Sequence, residues 1–433
     1  MIVDYKTITA CRLCGSLELI DLFSLGDQFV SDFVEPGKER AGVSCPIELV
    51  LCGHCSLVQQ RHTAPQDFLY SRHYWYTSGT TQTMRDALAD VARTTERMVK
   101  LQPGDVVLDI GSNDGTLLRS YRVGSGVVRI GVEPADNLVL VGSEGIDYLY
   151  HDFWKWEPFC TVMQRSPLVA PRGWFKGAKV ITACGCFYDI DDPCTFVGDI
   201  AKALAPDGLF IAQLMCLKGM MLLGDVGNLV HEHLEFYGLK SLQYLFGKCG
   251  LELFDVDTNA VNGESYRLYV RHKGSKVGEE DGIGFRELRR AERLKAALTW
   301  EEEHLHNLAL RRAFDGWRKN RDEAANFIKA LSYLGKRVWW YGASTKSSVI
   351  TQWLDLPAGT IEAAADVSPD KIGKVMVGSG VPIRSCEDFR AAKPDWAVVG
   401  PFAFRAEFIE REREWLEGGG RFLFLTPKLE VYP

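Results

Sequence analysis

Three groups of residues in this sequence have the types and spacing to do chemistry. The densest is His231-Glu232-His233, two imidazoles and a carboxylate in consecutive positions. Imidazole titrates near neutrality and a neighbouring carboxylate can hold its charged form, which is what proton transfer needs. Two other readings stay open. His231 and Glu232 can cap a helix by meeting backbone groups. A metal site is the second, although His-Glu-His lacks the i, i+4 spacing of H-E-x-x-H.

The second group runs from Val106 to Leu118. An apolar, β-branched run ends in Asp109, a turn with Gly111 and Gly115 follows, and an apolar run of helical type comes after. The pattern predicts strand, tight turn, helix. Gly111 and Gly115 let backbone approach a ligand, the helix start offers N–H groups, and Asp109 can accept hydrogen bonds at the strand tip. The phosphate fingerprint G-x-G-x-x-G is absent, and Asp109, Asp114 and Glu133 would repel a pyrophosphate. A cationic or neutral ligand with ribose hydroxyls fits better, and an ordinary turn of a doubly wound sheet is the alternative. The run Asp109-Ile110-Gly111-Ser112-Asn113-Asp114-Gly115 resembles motif I of class I S-adenosylmethionine methyltransferases. Glu133 ends the next predicted strand, about 20 residues on, where an acid binds ribose hydroxyls. Asp152 and Phe153, after a third short strand, offer a polar contact and a ring for the adenine.

The third group is Cys11-x-x-Cys14 and Cys52-x-x-Cys55. Each pair puts two thiolates on one tight turn, and four soft ligands in two pairs suit tetrahedral zinc. Four cysteines predict a closed, structural Zn2+, not a catalytic one. A redox pair is the alternative, but neither follows a clear βαβ pattern. Cys45 stays outside the ligand set, and His54 is a candidate outer-shell group.

Around these groups the chain reads as two or three domains in 433 residues, with an ordinary soluble composition of 46% apolar and 25% charged residues. A net charge of −7 gives no basic field for nucleic acid or an anionic membrane. No apolar run is long enough to span a bilayer, Met1 to Ala10 does not read as a signal peptide, and the free cysteines suit a reducing compartment, so a cytoplasmic location is expected. Monomer and dimer both remain open.

An aromatic stretch, Tyr70 to Gly79, lies between the cysteine module and a helix predicted over Thr81 to Lys100. It suits equally a pocket wall and interdomain packing. Strands are then expected at Val106–Ile110, 127–134, just before His151, 179–183 and 209–213, giving a doubly wound α/β domain. Gly282 to Leu334 reads as one or two long helices with a solvated basic face. Strands at 337–341, 361–367 and 396–400, and a last one at 421–425, continue the alternation. The turn Gly342-Ala343-Ser344-Thr345-Lys346 offers N–H groups, hydroxyls and a lysine to a diphosphate. A second Rossmann-like domain holding a dinucleotide, or nothing, is the alternative there.

Six motifs occur in order: the paired knuckles, Tyr74-Trp75-Tyr76-x-Ser78-Gly79, Gly111 to Gly115, His231 to Leu234, Val261-Asn262-Gly263-Glu264-Ser265-Tyr266-Arg267, and Tyr341 to Lys346. Together the chain resembles the zinc-containing sugar C-methyltransferases that act on nucleotide-linked keto-deoxysugars. The resemblance implies a zinc module (1–75), a methyltransferase domain (76–275), and a helical bridge with a Rossmann-like domain holding the sugar nucleotide (276–433). It implies removal of a proton α to a ketone and attack of the enolate carbon on a sulfonium methyl. Glu232 and His233 match the family's Glu-His pair, with His233 the base, and Tyr76 matches a tyrosine near the sugar. His231 and Asp189 join this catalytic set. Tyr74, Asn262, Ser265, Arg267, Tyr341, Gly342, Ala343, Ser344 and Lys346 are the expected substrate contacts. The chain departs from the family at Tyr188-Asp189, where some members carry a histidine, at Glu264, where a second glycine is common, and at Lys346-Ser347, where Lys-Gly is common.

Overall fold

The computed structural model describes residues 5–70, 74–122, 126–165, 177–261, 263–279, 284–400 and 404–433. The first module is an antiparallel sheet. Leu19–Phe29 pairs with Ser44–Cys52, which pairs with Val58–Gln60. Its outer strand, Glu235–Phe236, comes from far along the chain, with Glu235 opposite Gln59 and Phe236 opposite Val58. The residues that follow His233 are thus zipped onto the cysteine module.

The middle of the chain forms a seven-stranded sheet. Its strands run in the order Leu251–Asn259, Ser265–His272, Leu204–Met215, Ala178–Cys184, Val106–Ile110, Val128–Val132, Tyr148–Tyr150. The last five are parallel, and Ser265–His272 runs against its neighbours on both sides. Every side chain of Val106–Ile110 is buried, as expected for a strand with helices on both faces. The strand order, not the strand direction, reverses at Val106–Ile110, and that switch point is the crevice where doubly wound sheets bind ligands. The helix Gln82–Met98 covers this sheet with Met84, Leu88, Val91, Ala92 and Thr95, a stripe at helical spacing, and Thr81 caps its start. The expected strands are present here. The edge hairpin over 251–272 was not expected, because its charged alternation reads as surface.

Gly284–His304 and Asn307–Tyr333 are two helices, broken at the His306 cap. Their basic face is not simply solvated: Arg293 makes an ion pair with the buried Asp255 at 2.5 Å. Phe314 stacks on Phe23 of the first module at 4.8 Å, and Phe23 also meets Trp353 of the last domain edge-on at 6.0 Å. That domain is a sheet in the order Ile383–Ser385, Ala364–Asp366, Val338–Tyr341, Trp396–Val399, Arg421–Phe424, Glu430–Tyr432. The first five strands are parallel, so Arg421–Phe424 is not the last strand; an antiparallel one follows it. A short ribbon, Phe33–Val34 against Val375–Met376, joins the first module to this domain. No helix among the described residues is long and apolar enough to cross a membrane.

Candidate active site

A cavity of about 450 Å³ opens where these parts meet. Its floor is the glycine turn and its neighbours: Gly111, Asn113, Glu133 and Gly185. Gly111 has φ +69°, and a Cβ there would lie 2.9 Å from Cys186 Sγ, so the turn admits only glycine without displacing Cys186. Glu133 is 5% exposed and accepts from the N–H of Asn113 at 2.8 Å and of Ala135 at 2.9 Å. Its carboxylate is fixed at the cavity wall with lone pairs to spare for hydroxyls. Phe153 and Trp154 line the same end. These residues fit a methyl donor bearing a ribose and an adenine.

The other acids and turn residues stand behind this surface. Asp109 is buried, accepts from the Thr182 hydroxyl at 2.6 Å, and is pushed up to about 7 by burial. Asp114 accepts from the N–H of Gly79 at 2.7 Å and of Thr116 at 3.1 Å. Ser112 and Gly115 shape the turn and do not line the cavity, and Asp152 caps the N–H of Phe153 at 2.7 Å.

The aromatic stretch serves both of its expected roles. Asn113 accepts from the N–H of Ser78 at 2.9 Å and donates to the carbonyl of Tyr76 at 3.1 Å. That clamps the stretch onto the glycine turn, and Tyr74, Trp75, Tyr76 and Ser78 become cavity wall. Tyr76 sits at the rim, 43% exposed. Residues 71–73 lie outside the described residues.

Glu232 and His233 line the same cavity. His233 Nδ1 lies 2.9 Å from the carbonyl oxygen of Asn228 and so carries the proton, leaving the Nε2 lone pair available. Burial, with help from Lys346, pushes this imidazole down to about 3 and keeps it neutral. Glu232 is pushed up to about 7 by burial, and its Oε2 is buried with no hydrogen-bond partner among the described residues. Asp189 also lines the cavity; burial and then Glu232 and Glu235 push its carboxyl well above the usual range. Two elements aim the pair. Gln60 of the first module donates to the carbonyls of Val230 at 2.6 Å and His233 at 2.7 Å. The carbonyl of Tyr188 accepts from the N–H of Leu234 at 2.8 Å and of Glu235 at 3.0 Å.

His231 does not join them. It is 1% exposed, bonds through Nε2 to the carbonyl of Cys45 at 2.8 Å, and faces the first module instead of the cavity. Arg267 is likewise spent elsewhere, on Gln213 at 2.9 Å and Asp90 at 2.8 Å. Ser265 does line the cavity, its hydroxyl on the carbonyl of Val261 at 2.8 Å, while Asn262 lies outside the described residues. In the C-terminal loop Lys346 reaches the cavity, with Thr345 beside it. Tyr341 turns the other way and bonds Glu412 at 2.5 Å. The N–H of Gly342 is spent on Ala365 and that of Ala343 on Asp366, both at 2.8 Å, and Ser344 caps the helix Thr345–Trp353.

Sequence reasoning missed Tyr188, Asn228, Ser31 and Asp32. Tyr188 lines the cavity with its ring 4.5 Å from that of His233. Asn228 acts through a backbone carbonyl, which leaves no side-chain signal. Ser31 and Asp32 come from a loop of the first module that only the fold brings here, with Ser31 Oγ bonded to the carbonyl of Thr345 at 3.2 Å.

The four knuckle cysteines gather away from this cavity. Their sulfurs all lie within 4.8 Å of one another, with Cys11 and Cys55 at 3.6 Å and Cys14 and Cys52 at 3.5 Å. A Zn–S bond of ~2.3 Å makes a tetrahedron with edges of ~3.8 Å, so these four sulfurs fit zinc with no place left for water. His54 is exposed and meets Tyr244 edge-on at 5.9 Å, and Cys45 is outside the cluster.

Comparison with known proteins gives three consecutive family matches. A zinc binding domain matches residues 11–70, a methyltransferase domain 82–256, and a C-methyltransferase C-terminal domain 260–427. The C-methyltransferase NovU of Streptomyces niveus is 27% identical across 98% of this chain and 97% of that one. Among solved structures, the mitomycin 7-O-methyltransferase MmcR is 16% identical with a TM-score of 0.31, covering 44% of this chain and 54% of that chain. The magnesium protoporphyrin IX methyltransferase of Synechocystis PCC 6803 is 13% identical with a TM-score of 0.29, covering 44% and 82%. Superpositions this loose carry no weight here; the family matches and the full-length relative do.

Proposed function

The chain is an S-adenosylmethionine-dependent methyltransferase with an N-terminal zinc-binding domain, and we propose that it methylates a carbon atom of a nucleotide-linked keto-deoxysugar through an enolate. The observation that carries this reading is an imidazole with an available lone pair and an unpartnered carboxyl oxygen lining the same cavity as the glycine turn. Methylating oxygen or nitrogen needs no acidic C–H to be broken. Methylating carbon does, and a base with an available lone pair in a dry site is what that step requires.

In this reading His233 Nε2 takes the proton α to the ketone. The C–H electron pair moves into the enolate, and the new imidazolium is offset by the Glu232 carboxylate. Tyr188 and Tyr76 bring phenol hydroxyls, and Asp189 a carboxyl, to the same cavity. S-adenosylmethionine, bound over Gly111 to Gly115, supplies an electrophilic methyl group on a sulfonium. Gly111, Asn113 and Glu133 hold the donor, and the cavity's small volume sets the approach of carbon to methyl, an alignment worth several kcal/mol. Domains of 1–75, 76–275 and 276–433 supply zinc, donor and acceptor surfaces respectively.

Incubating the protein with nucleotide-linked keto-sugars in heavy water tests this directly. Deuterium should enter the α-position without transfer, and mass spectrometry with labelled donor should show one added methyl on carbon. Methylation without any α-exchange would replace the enolate route with O- or N-methylation.

A further inference from the structure

The cavity interior is acidic. Asp32, Glu133, Asp189 and Glu232 line it, and the ammonium of Lys346, which also lines it, is engaged by Asp225 at 3.1 Å. A diphosphate inside would be desolvated among carboxyls. The turn at 342–346 has two of its N–H groups already engaged. The N–H groups of Gly342 and Ala343 are spent within the fold, the latter on a carboxylate, Asp366, that stands behind the loop.

Two lysines outside the lining stand against its aromatic wall, Lys374 half-buried and Lys371 with 13% of its side chain exposed. Lys371 and Lys374 sit on a turn leading into Val375–Met376, the strand that zips to Phe33–Val34. Lys374 Nζ stands 4.6 Å over the ring of Trp75, which is a cavity wall. Lys371 Nζ stands 4.8 Å over Phe33, and Phe33 meets Trp75 edge-on at 5.1 Å. Both ammonium groups therefore flank one aromatic pair, of which Trp75 lines the cavity. Lys371 donates to the carbonyl of Ala343 at 2.8 Å, with Asp366 at 3.8 Å, and an ammonium has three protons to give. Lys374 has no carboxylate partner among the described residues.

We infer that Lys371 and Lys374 hold the diphosphate of the acceptor beside this aromatic wall, so that the charged part stays outside and the uncharged sugar enters the acidic interior. The inference rests on the nucleotide-linked acceptor proposed above and fixes which end of it goes in. The charge pattern also explains orientation: an acceptor turned around would bring phosphate to Glu133 and Glu232.

Calorimetry on the full, zinc-loaded chain with UDP, dTDP and inorganic pyrophosphate tests the site. The unaltered chain should bind the nucleoside diphosphates, more weakly as salt rises. Lys374→Met, which keeps an aliphatic stem on Trp75, should weaken binding about tenfold, and the double variant with Lys371→Met about a hundredfold. Affinity for S-adenosylmethionine should stay within about twofold. Lys371→Arg should retain binding, which separates lost charge from a disturbed loop. Unchanged diphosphate affinity in Lys374→Met and Lys371→Met would overturn the lysine site and leave the proposed reaction standing. An unaltered chain that ignores all three probes yet methylates a phosphate-free keto-sugar would overturn the nucleotide-linked acceptor itself.

Discussion

His233 Nδ1 donates to the carbonyl of Asn228 at 2.9 Å, and this single bond decides which nitrogen of the imidazole faces the cavity. The Asn228 side chain in turn donates to Asp225 at 2.9 Å, and Asp225 also holds Lys346 of the C-terminal domain. The base is thereby tied to the domain proposed to present the acceptor.

Replacing the imidazole should stop proton removal and little else. His233→Ala is expected to lower turnover and α-deuterium exchange by about 10²- to 10⁴-fold, the usual worth of a positioned base. Titration calorimetry should find the affinity for S-adenosylmethionine nearly unchanged, because Gly111, Asn113 and Glu133 are proposed to hold the donor. Equal losses in both would remove it from the role of base.

Glu232 gives a pH signature. Burial raises it from 4.5 to about 7 in the folded chain. The folded state therefore holds this proton more tightly than the unfolded one. Its stabilising contribution is complete below about pH 4.5 and is lost as pH rises through 7. Glu232→Gln should accordingly raise stability at pH 8 by about 3 kcal/mol relative to its effect at pH 4.5. The same variant should erase an upward inflection near pH 7 in the exchange rate. Chemical denaturation at the two pH values and a rate profile check both halves.

Zinc should matter without touching the reaction. Cys52→Ser should lose the metal, read by metal analysis, and unfold the first module, because metal binding there is folding free energy. Turnover should fall with it, since that module supplies Gln60, Ser31 and Asp32 to the cavity.

Gln60 separates positioning from metal. It is fully buried, and its amide serves two carbonyls of the loop that carries Glu232 and His233. Gln60→Leu leaves both carbonyls without that donor, at about 1–3 kcal/mol of stability. Turnover should drop while zinc content and donor affinity hold. Retained turnover in a folded variant would show that the loop keeps its geometry unaided.

Gly111→Ala should weaken donor binding at least about tenfold, because φ +69° and the contact with Cys186 both oppose a side chain. Unchanged affinity in calorimetry would place the donor elsewhere.

The parallel strands, the glycine turn and the four-cysteine cluster were legible in the sequence because each has a local signature: apolar runs, punctuating glycines, paired thiols. Loop motifs were legible as motifs but not as directions. His231 and His233 are two positions apart, and only the tertiary fold decides that one faces Cys45 and the other the cavity. Tyr341 and Lys346 likewise part company, the first drawn to Glu412 in a separate core and the second to the cavity. Residues such as Asp32 and Lys374 gave no sign at all, since what makes them neighbours of the site is pairing between segments more than 300 positions apart.

That pairing, Phe33–Val34 with Val375–Met376, closes the polypeptide into a loop around its middle. During synthesis the donor half of the cavity can form once the central sheet has emerged. The acceptor half must wait until the ribosome has passed residue 376, when the last third can fasten to the first. The order of synthesis therefore makes the first and last thirds of the chain, 341 positions apart at Val34 and Val375, the final parts to be joined.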